Sequence, residues 1–323
     1  MTDTTAGIPR RPSKALEFVK GILLLRESIV GMIGAFLVLF WLFVAIFANV
    51  IAPFNPNQPL VPLAAPGTEF VAAATQQVAS KPASEVCSQI YENGTATDQY
   101  DCGTFWLGTD HIGRDILSRI IFGSRTVLIY APLATFCAYF VGVPMGLAAG
   151  YRRGMTDGIL SFIANVILSF PVLVLYVIII AFFGASAFNI VVAVTFASAP
   201  GIMRIVRGLV LDLRNREYVF AAETRGEPGW RIMLIEILPN ARGPLIVDSC
   251  VRVGYVIITI GVLGFLGLGL PPPNPDWGGM INETRQMAMT FPHMTVFPCI
   301  AISSLVLGFN LLADGMREVS LRD

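Results

Sequence analysis

Charge and histidine are scarce in this chain. Only 14% of its 323 residues are charged, against roughly 25% in an ordinary soluble domain. The 22 basic and 22 acidic residues cancel, so no excess of one sign points to nucleic acid. The two histidines, His111 and His293, lie far apart, and no Cys, His or carboxylate cluster surrounds either. A metal site is not expected. The five cysteines include no Cys-x-x-Cys pair. A Gly-x-Ser-x-Gly elbow, a phosphate-binding loop and a His-Glu-x-x-His helix are all missing. The chain therefore has no nucleophile–base pair for a membrane enzyme, no catalytic residue to name and no cofactor of its own. Any work driven by ATP and Mg must be done on another subunit.

What is abundant is apolar: 54% of the residues, with 22 Phe. Six segments at about 29–51, 126–150, 157–183, 188–213, 244–270 and 293–313 are long enough to cross a bilayer. The fold class expected is an all-α integral membrane protein of six transmembrane helices. The first segment is too long for a signal peptide, and no small-x-small cleavage site precedes Pro53. An even number of spans puts both termini on one side. Lys and Arg crowd residues 1–28, the 152–153 turn, the 204–242 region and the C-terminus, whereas 184–187 has none and 271–292 only Arg285. Both termini are accordingly expected in the cytoplasm.

The polar segment 52–124 then lies outside, where an oxidising compartment permits a disulfide between Cys87 and Cys102. Asn93-Gly-Thr95 matches a glycosylation sequon, a pattern common by chance. The segment ends in Leu107–Arg125, where Asp115 can cap a helix with Ile116, Leu117, Ile120 and Ile121 on one side. That spacing suits a helix lying on the membrane surface. The division expected is a cytoplasmic segment 1–28, a first span 29–51, an external loop 52–124, a five-helix core 125–314 and a cytoplasmic tail 315–323.

Ionisable groups within the spans are few. Asp248 and Arg252, four apart, share a helix face and can pair, as structural glue, as a contact with a partner or as part of a transport path. Arg204, Arg207, Asp157 and Asp314 sit near cytoplasmic ends, where the arginines can snorkel. Pro132, Pro144, Pro171, Pro200 and Pro298 would kink their helices, for packing or to line a path. No substrate-binding residue can be named. An ion-coupled carrier working alone is the alternative from another class, but it usually shows midplane charges and paired broken helices, and neither is evident.

The stretch 216–239, REYVFAAETRGEPGWRIMLIEILP, is a polar, amphipathic insert between two spans. Tyr218–Arg225 fits one short helix, Gly226 ends it, and Pro228 suits the first turn of a second. Trp230, Met233, Leu234 and Ile237 follow helical spacing as an apolar stripe, and Pro239 is expected to limit the helix. Small residues at Ala221, Ala222 and Gly226 allow close backbone approach. The pair either docks a partner or merely caps the bundle.

Several stretches together resemble one family. Ala221-Ala222-x-x-x-Gly226 with Leu238-Pro239 looks like the EAA loop of binding-protein-dependent ABC importer permeases. LGTDHIGRDILSRIIFGSR, AGYRRGMTD, LSFP, REYVFAAETRG, ILPN, LGFLGLGLPPPNPDWGGM and FNLLADGMRE resemble the second permease subunit of the dipeptide/oligopeptide branch, over about residues 105–320. The resemblance implies a type I importer permease fold of five core helices plus an N-terminal one. It also implies import of peptides or peptide-like solutes. The partners implied are a homologous second permease, two cytoplasmic ATPase subunits and an extracytoplasmic binding protein, in a bacterial inner membrane. The loop at 214–243, with Glu217, Ala221, Ala222, Gly226, Leu238 and Pro239, is implied as the coupling motif seated on an ATPase. The same branch also serves nickel, opines and other small conjugates. This chain departs from the pattern at Phe220, where the family opens on Glu, at Glu236, where peptide permeases often have His, and at Glu223 and Pro228.

Overall fold

The computed structural model describes residues 28–71, 102–271 and 274–320. Among these, five helices are long and apolar enough to cross a membrane, and one bent helix pair passes the same test when its halves are taken together. They are α1 (Ile29–Ile46), α2 (Ile116–Arg152), the bent pair α3 (Gly154–Leu168) and α4 (Val172–Phe183), α5 (Ala187–Leu213), α7 (Leu238–Phe265) and α9 (His293–Ser320). Two short helices, α6 (Glu217–Thr224) and α8 (Trp277–Thr284), sit in the connections before and after α7.

The helices α2 and α5 form the central pair. Gly142, Gly146 and Gly150 recur every four residues along α2 and face Ile202, Val206 and Val210 of α5. A Cβ at any of the three glycines would fall within 2.9 Å of an atom of α5. Small residues at this spacing let backbones approach where lipid supplies no hydrophobic drive. The α1–α9 contact uses the same device: a Cβ on Gly34 would stand 2.3 Å from the Leu312 backbone nitrogen. Ser28 caps α1 by accepting from the Gly31 N–H at 3.2 Å, and its hydroxyl donates to Glu318 Oε2 of α9 at 2.7 Å.

Asp115 does cap α2, accepting from the Ser118 N–H at 2.7 Å. The surface helix expected after it does not form. Ile116, Ile120 and Ile121 are buried in the bundle as the opening turns of a 37-residue helix. Their spacing marks an apolar face but not what covers it. That cover is α1 and α8: Trp277 of α8 is fully buried and donates its Nε1–H to the Ile120 carbonyl at 3.0 Å. It meets Trp41 of α1 edge-on at 5.0 Å. Helix α8 lies in the connection between α7 and α9.

The expected single span 157–183 is broken. Its halves α3 and α4 meet at 85°. Pro171 precedes α4 and cannot donate a backbone N–H, and it disfavours helical conformation at Phe170. Ser169 donates to the Val166 carbonyl at 2.7 Å and closes the end of α3.

In the polar segment, β1 (Thr68–Val71) pairs antiparallel with β2 (Cys102–Phe105), Thr68 opposite Phe105. This small sheet is an addition to the all-α expectation. Phe54, Ala64 and Phe105 pack beneath it. Thr109 donates from its hydroxyl to the Val61 carbonyl at 2.5 Å and accepts from the Ala64 N–H at 2.8 Å, holding LGTDHIGRD against residues 60–64. Cys87 lies outside the described residues, and with it the pairing to Cys102; so does Asn93.

Candidate functional site

The insert between α5 and α7 folds as two helical pieces with a glycine joint. Glu217 opens α6 as its first residue, an acidic group at the positive end of the helix dipole. Gly226 ends α6 with φ +73°. Its N–H donates to the Glu223 carbonyl at 2.9 Å, and the Glu227 N–H donates to the Ala222 carbonyl at 3.2 Å. That is a Schellman ending, whose left-handed residue is most readily glycine. A Cβ at Gly226 would have no atom of the described residues within 4 Å. Glycine serves the backbone turn here, not close packing within the chain.

Pro228 precedes one α-turn, Gly229–Arg231, and then a π-helical run, Ile232–Ile237. Pro239 was expected to limit this helix, and it does not. The π run passes into α7, the Leu238 N–H reaching the Met233 carbonyl, with Pro239 in the first turn. A proline is tolerated where a first-turn N–H lacks a helical acceptor, and the wider i→i+5 spacing passes the register around it. Asn240 donates its side-chain amide to the Glu236 carbonyl at 2.6 Å. Gly229 to Phe265 is thus one continuous helical rod of 37 residues.

The π run also shifts the phase of the expected stripe. Met233 and Ile237 are buried with Ile232, but Trp230 and Leu234 are turned outward. The inner face consists of Val219, Ala222, Ile232, Ile237 and Ala241 on Leu147, Ile202, Val206 and Val210. The outer face leaves Phe220 54%, Trp230 59%, Leu234 51% and Ile235 53% exposed. The Ala221-Ala222 pair is split between these faces: Ala222 is fully buried, Ala221 exposed. Leu238 and Pro239 line a groove of about 350 Å³ with Leu234, Ile246, Ser249 and Tyr139. Of the residues expected to form the coupling motif, Ala222 is buried against the bundle. Glu217, Ala221, Gly226 and Pro239 are surface groups, and Leu238 is half-buried.

Tyr151, at the end of α2, is a residue that the sequence reading missed. Its hydroxyl hydrogen-bonds Glu223 Oε1 at 3.1 Å. Arg214 donates to its carbonyl at 2.7 Å and holds its guanidinium over the ring, 5.4 Å from the centroid. Gly229 packs against that ring. The signal was present only as a Tyr inside AGYRRGMTD. Asp157 from the same stretch takes Arg207 in a two-pronged pair at 2.6 and 2.7 Å, and Arg204 donates to Asn165 at 2.6 Å. Both arginines have side-chain partners on α3. The departures from the family pattern have local partners too: Arg225 lies 3.0 Å from Glu227 and 3.8 Å from Glu236. Burial pushes the Tyr218 phenol upward from its ordinary range.

Fold and insert together define a multi-helix membrane permease with a two-helix loop set on the root of one long span. The chain belongs to the family described as "Binding-protein-dependent transport system inner membrane component", which matches residues 142–322. It is 41% identical over 213 residues to the glutathione transport system permease protein GsiD of Pectobacterium atrosepticum, covering 66% of this chain and 71% of that one. It is 38% identical over 213 residues to the dipeptide transport system permease protein DppC of Alkalihalophilus pseudofirmus, covering 66% and 70%. The fold is shared with the MetNI methionine ABC transporter in an inward-facing conformation, with TM-score 0.51, 19% identity and coverage of 64% of this chain and 96% of that one. The chain is therefore a multi-pass permease subunit of an ABC importer, and hydrolysis of ATP lies with partner subunits.

Proposed function

We propose that this permease carries peptides or peptide-like solutes, delivered by an extracytoplasmic binding protein, across a bacterial inner membrane. It pairs with a homologous second permease and with two cytoplasmic ATPases that hold ATP and Mg. The loop 214–243 faces the cytoplasm, as do residues 1–28 and 315–323, and it seats on an ATPase through Glu217, Ala221, Gly226 and Pro239. Ala222 and Leu238 hold that surface in shape. The external loop 52–124 contacts the binding protein. The dipeptide and glutathione permeases among the relatives support the solute class.

One observation carries the mechanism. Phe220, Trp230, Leu234 and Ile235 are exposed on the insert, and the insert is rooted in the rod Gly229–Phe265. An apolar face of this kind, on a loop between spans, marks a protein contact. A push on Trp230, Leu234 or Ile235 is delivered directly to a membrane helix, and one on Phe220 passes through the Gly226 turn. The test is reconstitution of the permease pair with its ATPases and binding protein in vesicles. Uptake of a labelled dipeptide that requires ATP and the loaded binding protein is the expected result. Uptake by this chain alone on an ion gradient would refute the reading.

A further inference from the structure

Three of the spanning helices bring one ionisable cluster together. Asp248 of α7 accepts from the Tyr139 hydroxyl of α2 and, at 2.6 Å, from Arg252 Nε. The guanidinium of Arg252 lies beside Gly201 of α5, its terminal nitrogens 3.6 and 3.7 Å from where a Cβ would stand. The side chains of Asp248 and Arg252 are 22% and 19% exposed, so the cluster opens onto a surface. That surface is not compatible with lipid: a charged group in hydrocarbon faces the protein interior, a partner or water. Beside it runs the groove lined by Tyr139, Arg242, Ile246 and Ser249, which begins at Leu238 and Pro239. Asp248 follows Leu238 by ten residues of one helix, roughly 15 Å along its axis.

We infer that Tyr139, Asp248 and Arg252 line the water-filled path and set which charges of solute pass. This rests on the import reading above. Two opposite charges held together offer a counter-charge to both ends of a zwitterion while adding no net field. The solute class that suits this lining is zwitterionic, and strongly cationic or anionic solutes gain nothing from it. Because the groove joins the cluster to the coupling motif on one rod, movement of the loop moves the lining.

Two measurements decide it. The first uses the assembled importer with Cys137→Ala, Cys250→Ala, Cys299→Ala and Ser249→Cys, treated with a water-soluble, charged thiol reagent, with modification read by mass spectrometry on the peptide that contains residue 249. Modification in the assembled, nucleotide-free complex is expected. Modification only of the separated permease would make this face a subunit interface, and modification only by a membrane-soluble maleimide would make it a lipid face. Either outcome overturns the inference. It needs no transport, so it stands apart from failure of the import reading. The second compares uptake of acidic and basic tripeptides. Asp248→Asn should shift the ratio toward the acidic peptide by about fivefold or more, and Arg252→Met should shift it the other way. The paired exchange Asp248→Arg with Arg252→Asp keeps the pair, controls for folding and should leave the ratio near its original value. A ratio unmoved in both single variants overturns the assignment. Wild-type importer that takes up no peptide at all would instead refute the peptide reading and leave the thiol result standing.

Discussion

Gly229 and Tyr151 are in direct contact: a Cβ on Gly229 would stand 2.9 Å from Cε1 of the Tyr151 ring. Tyr151 cannot simply swing away, because Arg214 holds it from one side and Glu223 from the other. The contact ties the end of α2 to both halves of the insert. Replacing Gly229 with Val should displace the ring, break the bond to Glu223 and lower coupled uptake several-fold. Adding Tyr151→Ala should restore part of the loss. A double-mutant cycle on uptake and on ATPase stimulation checks this, and strict additivity would contradict the contact.

At Gly226 backbone and side-chain effects can be separated. Its φ of +73° costs a non-glycine residue about 1–2 kcal/mol, less for Asn. Among the described residues no atom lies within 4 Å of where its Cβ would stand. Gly226→Asn should retain most coupled uptake. Gly226→Phe should leave membrane insertion intact and uncouple ATP hydrolysis from transport, the extra harm arising on the partner. Normal uptake by the Phe variant would remove Gly226 from the coupling motif.

Trp277 clamps α8 to α1 and α2. It is fully buried, and its indole N–H bonds the Ile120 carbonyl. Trp277→Phe keeps most of the apolar volume and removes one hydrogen bond to a carbonyl that the helix itself still serves, and should cost about 1 kcal/mol. Trp277→Ala should cost about 3–5 kcal/mol. Thermal unfolding of the detergent-solubilised permease should rank wild type, Phe and Ala in that order.

Asp276 caps α8, accepting from the N–H groups of Gly278 at 3.2 Å and Gly279 at 3.1 Å. Burial nevertheless pushes its carboxyl up to about 6, against the pull of those bonds and of Arg119. The folded chain therefore holds this proton more tightly than the unfolded chain does. Its contribution to stability is full below about pH 4 and falls as pH rises through about 6, a change on the order of 3 kcal/mol. Asp276→Asn keeps an accepting oxygen and should flatten that part of the stability–pH curve. Unfolding midpoints at about pH 4 and about pH 7 test it; an unchanged slope in the Asn variant would exclude Asp276 as the source.

The crossing elements were legible in the sequence because a bilayer demands a fixed length of apolar chain whatever its neighbours are. So were the cap at Asp115 and the turn at Gly226, because each is decided by bonds within a few residues. Pro171 was visible as a kink, but not the 85° it produces. Pro239 was misread as a limit because its cost depends on the π run beside it, and that run also turned Trp230 and Leu234 outward. Only the tertiary structure decided what covers Ile116 and Ile120, why Tyr151 matters and which helices complete the Asp248–Arg252 pair. Those facts join residues tens to more than a hundred positions apart. Periodicity shows that a helix has a face to bury; only packing says against what.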